Sequence, residues 1–142
     1  MNEWAHKSIV AVIERDETRI WLTNATVGTK PHRIKLPEDR GRHHHMRQAT
    51  HHRGHDTDQY APVYFENIAR TIQDADDILI IGHGNGKANS AQDFVDFLDE
   101  KHPATARKIR GIQKVNMQAM TEPQLLRLVQ EWTNQPINRR TW

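Results

Sequence analysis

The chain has no cysteine, which excludes disulfides, thiolate-bound zinc and cysteine nucleophiles together. It has no apolar run approaching the roughly 18 residues that a membrane-spanning helix needs. Aromatic residues make up 6% of the 142 positions and apolar residues 36%, below the globular norm. The deficit is local: it falls on residues 37–59 and on the last eight positions, while the remainder is patterned like an ordinary folded protein. The start, Met1-Asn2-Glu3-Trp4-Ala5-His6-Lys7, lacks the apolar stretch of a secretory signal, so a cytosolic protein without membrane attachment is expected. A single domain is expected over residues 1–134, long enough to bury a core, with a flexible tail over 135–142.

Histidine and arginine, by contrast, are concentrated in one place. Six of the ten histidines (His43, His44, His45, His51, His52 and His55) lie between positions 43 and 55. Arg40, Arg42, Arg47 and Arg53 share that stretch, which shows neither a helical nor a strand period. Between Lys30 and His55 seven lysines and arginines face only Glu38 and Asp39, a local balance of +5 on a chain whose formal net charge is +2. A basic, apolar-poor protrusion on a near-neutral body suits a polyphosphate partner. The plain alternative is a solvated loop without a binding role.

Around this segment the periods are clear. Ser8 to Glu14 reads as a strand apolar on both faces, hence central. Asp16-Glu17 turns the chain into a second strand, Thr18 to Thr23, and a third follows Gly28 with Ile34 and Leu36 on one face and Arg33 and Lys35 on the other. From Ala61 the period is helical, with Ala61, Phe65, Ile68, Ala69 and Ile72 inward. Ile78 to Ile81, bounded by Asp77 and Gly82, has the form of a buried parallel strand. Ser90 to Asp93 resembles a capping box opening a helix that buries Ala91, Phe94, Val95 and Leu98, with Pro103 past its end. Arg110 to Val115 is the expected last strand. Thr121-Glu122-Pro123-Gln124 is a second capping box, starting a helix with Leu125, Leu128, Val129 and Trp132 inward. The order βββ–loop–α–β–α–β–α implies an α/β protein with a mixed sheet flanked by helices, the arrangement of an RNase H-like fold.

Two segments resemble a known family. Lys35-Leu36-Pro37-Glu38-Asp39-Arg40-Gly41-Arg42-His43-His44-His45 is similar to the stretch entering the Gly-Gly-Gln loop in the middle domain of archaeal and eukaryotic class 1 peptide-chain release factors. Ile80-Ile81-Gly82-His83-Gly84-Asn85-Gly86-Lys87 resembles the strand and turn of that domain's stand-alone bacterial relatives. The resemblance covers most of residues 7–133. It implies an RNase H-like fold and a ribosomal setting, with ribosome or tRNA as partner. Release factors use the tip to help water attack the peptidyl-tRNA ester; Pelota-type relatives lack Gly-Gly-Gln and act in ribosome rescue without that hydrolysis. Here Gly41-Arg42 is kept, and His43-His44-His45 stands in place of Gly-Gly-Gln. Two glycines permit positive φ and close backbone approach; histidines carry a Cβ and a ring. Standard peptide release is therefore not expected.

Four readings of the histidine segment remain open. Arg40, Arg42, Arg47, Arg53 and Lys35 contact RNA phosphates while histidines stack on or bond to bases. His51 and His55, four apart, join His43–His45 around a metal ion, although Gly54 weakens the helix this needs. His43, His44 or His45 serves as general acid or base in a hydrolase acting on a tRNA ester or RNA. Or the segment is only a soluble loop. RNA contact is the reading on which charge and resemblance agree.

Gly82, Gly84 and Gly86 with Lys87 form a candidate phosphate-binding turn between strand and helix. The spacing is neither that of a P-loop nor that of a dinucleotide fingerprint, and a tight turn alone also explains the glycines. No cofactor motif is present. A two-metal nuclease centre is disfavoured, because the first strand has no carboxylate before Glu14 and Ile78–Ile81 has none. Trp4, Trp21, Trp132 and Trp142 read most simply as core or edge anchors; the alternative for Trp142, after Arg139-Arg140-Thr141, is packing on a partner. A homodimer would cover an exposed sheet edge.

Overall fold

The structure is a computed structural model that describes residues 4–37, 61–83, 90–116 and 119–133. The elements are β1 (Ser8–Ile13), β2 (Glu17–Leu22), β3 (His32–Lys35), α1 (Ala61–Ile72), β4 (Asp77–His83), α2 (Ser90–Lys101), a one-turn α3 (Pro103–Ala106), β5 (Ile109–Val115) and α4 (Glu122–Thr133). They form one five-stranded sheet in the order β3-β2-β1-β4-β5. β1, β2 and β3 are an antiparallel meander, and β4 and β5 continue the sheet parallel to β1. This mixed sheet with helices on both faces is the expected α/β architecture.

Burial explains why β1 is central. Ile9, Val10, Ala11, Val12 and Ile13 have no exposed surface, because alternate side chains serve two different cores. On one face Ile9, Ala11, Ile13, Ile20, Ile78 and Ile80 pack against α1 and α2 through Ile68, Ile72, Phe94 and Leu98. On the other, Val10, Val12, Trp21, Leu79 and Ile81 are covered by Leu125, Leu126 and Val129 of α4. A strand buried on both sides has no room for a polar alternation, so its sequence is continuous β-branched and small apolar residues.

The helix faces differ in detail from the periodic reading. On α1 the buried residues are Tyr64, Phe65, Ile68, Ala69 and Ile72; Tyr64 is 1% exposed, and the Ala61 side chain lies outside the description. On α4 Leu126 is buried while Leu128 and Trp132 sit half-buried at the margin. The α2 face, Ala91, Phe94, Val95 and Leu98, is as expected. Pro103 does more than follow a helix: it occupies the first turn of α3, where its missing N–H costs nothing, and leads Thr105 and Ala106 into the core. The start of α4 is closed by the expected capping box, with the Gln124 amide donating to Thr121 Oγ1 at 3.3 Å and the Thr121 amide to Gln124 Oε1 at 2.8 Å. Strand β4 runs two residues beyond Ile81, so Gly82 and His83 are strand residues paired with Lys114 and Val115.

Trp21 joins the α4-side core, and its Nε1–H donates to Thr29 O at 2.8 Å, pinning the β2–β3 connection. That connection turns at Gly28, whose φ of 99° favours glycine. Trp4 is buried on the opposite face, edge-on to His32.

Candidate nucleic-acid interface

Because β1, β4 and β5 are parallel, their carboxyl ends gather at one end of the sheet. The meander adds the start of β2 and the end of β3 to the same end, where Glu17 pairs with Lys35 and Thr18 with Ile13. Ile13 pairs onward with Gly82, and Gly82 with Lys114. Lys35 and Gly82 are thus three strand spacings apart, about 14 Å at the usual inter-strand distance. In open α/β sheets this carboxyl end is where ligands bind.

Both segments singled out in the sequence leave from here. The histidine–arginine segment follows Pro37, two residues past the end of β3, and the glycine turn follows His83, the last residue of β4. Of the candidate binding residues, Lys35 is exposed on β3 and Gly82 is buried within β4. Arg40, Arg42, Arg47, Arg53, His43, His44, His45, His51, His55, Gly84, Gly86 and Lys87 lie outside the described residues, as does the tail from 134.

The β1–β2 turn and the first residues of β2, 14–18 together, are held by groups that no local pattern disclosed. On the α1 side, the Tyr64 hydroxyl donates to Glu14 O at 2.9 Å and lies 2.8 Å from Thr18 Oγ1. With the tyrosine proton committed to Glu14, the threonine hydroxyl is the donor in that second bond. Burial pushes the Tyr64 phenol well above its ordinary range, with Thr18 opposing and the carboxylates of Asp16, Glu14 and Glu17 adding to the rise. It is a fixed neutral donor, not a base. The amide of Leu36 donates to Asp16 O at 2.8 Å, so the end of β3 rests on the same turn.

On the α4 side, Arg19 donates to Glu14 Oε2 at 3.0 Å and to Glu122 Oε2 at 3.0 Å. Arg33 donates to Glu17 Oε2 at 2.8 Å and to the same Glu122 oxygen at 3.2 Å. The bond to Glu17, reinforced by Glu122, raises the already high pKa of Arg33. Arg19 is only 13% exposed and its guanidinium carbon lies 5.8 Å from the Trp21 ring centroid, so its charge is sheltered as well as paired. Arg33 and Arg19 are therefore structural cations, whereas Lys35 projects outward. Glu14, the one carboxylate at the end of β1, is engaged by Arg19. Among the described residues no three His, Asp or Glu side chains converge as a metal site requires.

The sequence could not announce this network. Arg19 and Glu122 are 103 positions apart, Thr18 and Tyr64 are 46 apart, and neither pair lies within one element. The only local hint was a polar Thr18-Arg19 pair inside an otherwise apolar strand pattern.

No family model matches the chain, and no curated protein matches it. Among solved structures it is similar to Pelota from Archaeoglobus fulgidus, with a TM-score of 0.52 and 13% sequence identity. The match covers 89% of this chain and 31% of that one. In fold, nearly the whole of this chain is similar to under a third of Pelota.

Proposed function

We propose that the protein binds RNA of the translation machinery, the ribosome or a tRNA, through the segment between Pro37 and Ala61 at the carboxyl end of the sheet. The carrying observation is the convergence there of exposed Lys35, the departure of the arginine-rich segment and the end of β4 leading to the glycine turn. The fold likeness to Pelota and the release-factor-like motifs in the sequence support the ribosomal setting. In this reading Arg40, Arg42, Arg47, Arg53, Lys35 and Lys87 neutralise phosphates, and the turn after β4, with Gly84 and Gly86, offers backbone amides to one of them. His43-His44-His45 supplies rings for stacking and base contacts instead of the glycine backbone that peptide release uses. The protein then acts in the cytosol as a binding factor without peptide-release activity.

The experiment is sedimentation of the purified protein with large ribosomal subunits and with whole ribosomes at low and moderate salt. Co-migration with the large subunit that weakens as salt rises supports the proposal. A protein that stays at the top of the gradient at both salt concentrations rejects the ribosomal reading. A tRNA mobility shift run beside it tests the tRNA reading.

A further inference from the structure

We infer that the β5 edge of the sheet, with the end of α2 and the one-turn α3 beside it, is a separate surface that binds duplex RNA by its phosphate backbone. The inference goes beyond the reading above and uses no residue of the segment after Pro37. From Lys101 to Met120 the chain carries Lys101, Arg107, Lys108, Arg110 and Lys114 and no aspartate or glutamate, a local balance of +5. The fold keeps most of this charge outside. β5 is an outer strand of the sheet, and Lys101, Arg107, Arg110 and Lys114 are all exposed. The Lys108 ammonium is used internally: it donates to Gln73 O at 2.6 Å.

A bulge sets Arg110 on this surface. Ile78 pairs with Ile109 but Leu79 with Gly111, so Arg110 is the extra residue on β5. Ile109 and Ile112, three apart, can then both enter the core beneath α1 and α2. An unbroken strand would instead send Arg110 to the α4 side with Leu79. Arg110 donates to Asp77 Oδ1 at 2.9 Å, which steadies the guanidinium while its side chain stays 50% exposed. Lys114 lies four residues on, about 13 Å at the usual strand rise. It pairs with Gly82, so the cationic edge runs into the carboxyl end of the sheet.

Phosphates recur every few ångströms along a nucleic-acid strand, so a row of cations this long meets several at once. Proteins that hold single strands add aromatic platforms for the bases. Here Phe97 and His102 are half-buried and in ring contact with each other, and the exposed residues from 101 to 116 include no aromatic. Phosphate contact without base stacking suits an A-form duplex. A bulge and a lysine also protect an edge strand from pairing, but that purpose needs neither Lys101 nor Arg107, which lie off the strand.

The test compares full-length wild type with two triple variants of equal charge change. Lys101→Ala/Arg107→Ala/Lys114→Ala strips the edge; Lys7→Ala/Arg70→Ala/Arg127→Ala removes exposed cations elsewhere. The probe is a labelled synthetic RNA duplex, titrated across a salt series well below the unfolding temperature. The edge triple is expected to bind about tenfold more weakly, with the slope of log affinity against log salt lower by about 1 per lost phosphate contact. The other triple should stay near wild type. Wild-type affinity in the edge triple, equal losses in both triples, or no duplex binding by wild type at low salt would each overturn the inference. So would an edge triple that loses only self-association while its duplex affinity holds; the edge would then belong to the acidic α2 face of a second copy, where Asp93, Asp96 and Asp99 are exposed. The ribosomal reading is judged apart from this, by the sedimentation described above, so either can fail alone.

Discussion

Thr18 and Arg19 are neighbours on β2 that secure one turn from opposite faces of the sheet. Thr18 points toward α1 and meets the Tyr64 hydroxyl at 2.8 Å, while Arg19 points toward α4 and reaches Glu14 and Glu122, each at 3.0 Å. The two-residue period of a strand makes this possible: adjacent side chains leave by opposite faces. The turn they hold is the floor of the candidate interface.

The Thr18–Tyr64 bond should be measurable as a coupling. Thr18→Val removes the hydroxyl at nearly constant shape, and Tyr64→Phe removes its partner. Each single variant is expected to lose about 1 kcal/mol, and the double variant distinctly less than the sum. Urea unfolding of the four proteins checks it; strict additivity would show that the two oxygens do not interact.

Glu122 should matter more than Glu17. One Glu122 oxygen accepts from both arginines, and its removal leaves the sheltered Arg19, among the described residues, paired with Glu14, whereas Glu17 pairs with the half-exposed Arg33. Glu122→Ala is expected to cost about 1–2 kcal/mol and Glu17→Ala under about 1 kcal/mol. Equal unfolding midpoints for the two variants would contradict the shared role of that oxygen.

The contact between α1 and the end of α2 predicts an acid-side effect. His102 Nε2 donates to Glu66 Oε1 at 2.7 Å and Arg70 Nε to Glu66 Oε2 at 3.0 Å. The His102 hydrogen bond, foremost, holds the Glu66 carboxyl below its ordinary value of 4.5. A carboxylate whose folded pKa is depressed contributes stability that is complete above its unfolded pKa and vanishes as pH falls through the folded one. Wild type should therefore exceed Glu66→Gln in stability at neutral pH, and the difference should shrink as pH drops through the low carboxylate range. Parallel stability curves down to strongly acid pH would count against this contact.

Replacing Arg40, Arg42, Arg47 and Arg53 by alanine should weaken binding to ribosomal subunits and flatten its salt dependence. Every arginine–phosphate pair removed is expected to lower the slope of log affinity against log salt by about 1. Lys35→Ala should add a change of the same kind. An unaltered slope in the fourfold variant would move the binding surface elsewhere on the molecule.

The core offers a control of scale. Ile80 is fully buried in the central pair β1–β4, facing α1 and α2. Ile80→Ala is expected to cost about 2–5 kcal/mol by opening a cavity, with RNA affinity of the folded protein unchanged. Calorimetry and subunit binding on the same sample test both halves.

Much of the frame is legible in the chain because it depends on local periodicity. The doubly apolar run of β1, the α2 face and the Thr121–Gln124 box each follow from residues within one turn or strand of each other. Tyr64 was missed on α1 because its ring belongs inward while its hydroxyl suggests the surface; only a partner 46 residues away makes the oxygen satisfied there. Gly82 reads as a turn residue by type, yet it lies inside β4, between Ile13 and Lys114 on the neighbouring strands. Its lack of a side chain says nothing about strand length. At the candidate interface, charge alone singles out Lys35 and the basic segment, but it cannot separate outward Lys35 from Arg33, which is engaged by Glu17 and Glu122.

Leu36, before the arginine-rich segment, and Tyr64, after it, are both tied to residues 14–18. Closing a flexible chain between fixed points becomes only about 0.6 kcal/mol harder when its length doubles. The bonds that tie Leu36 and Tyr64 to the β1–β2 turn are made wholly by residues 14, 16, 18, 36 and 64, so they do not depend on the length of the segment between Pro37 and Ala61. Grafting a Gly-Ser stretch twice as long between Pro37 and Ala61 should leave the unfolding midpoint nearly where it was. A midpoint that falls steeply instead would show that residues 38–60 contribute contacts of their own to the fold.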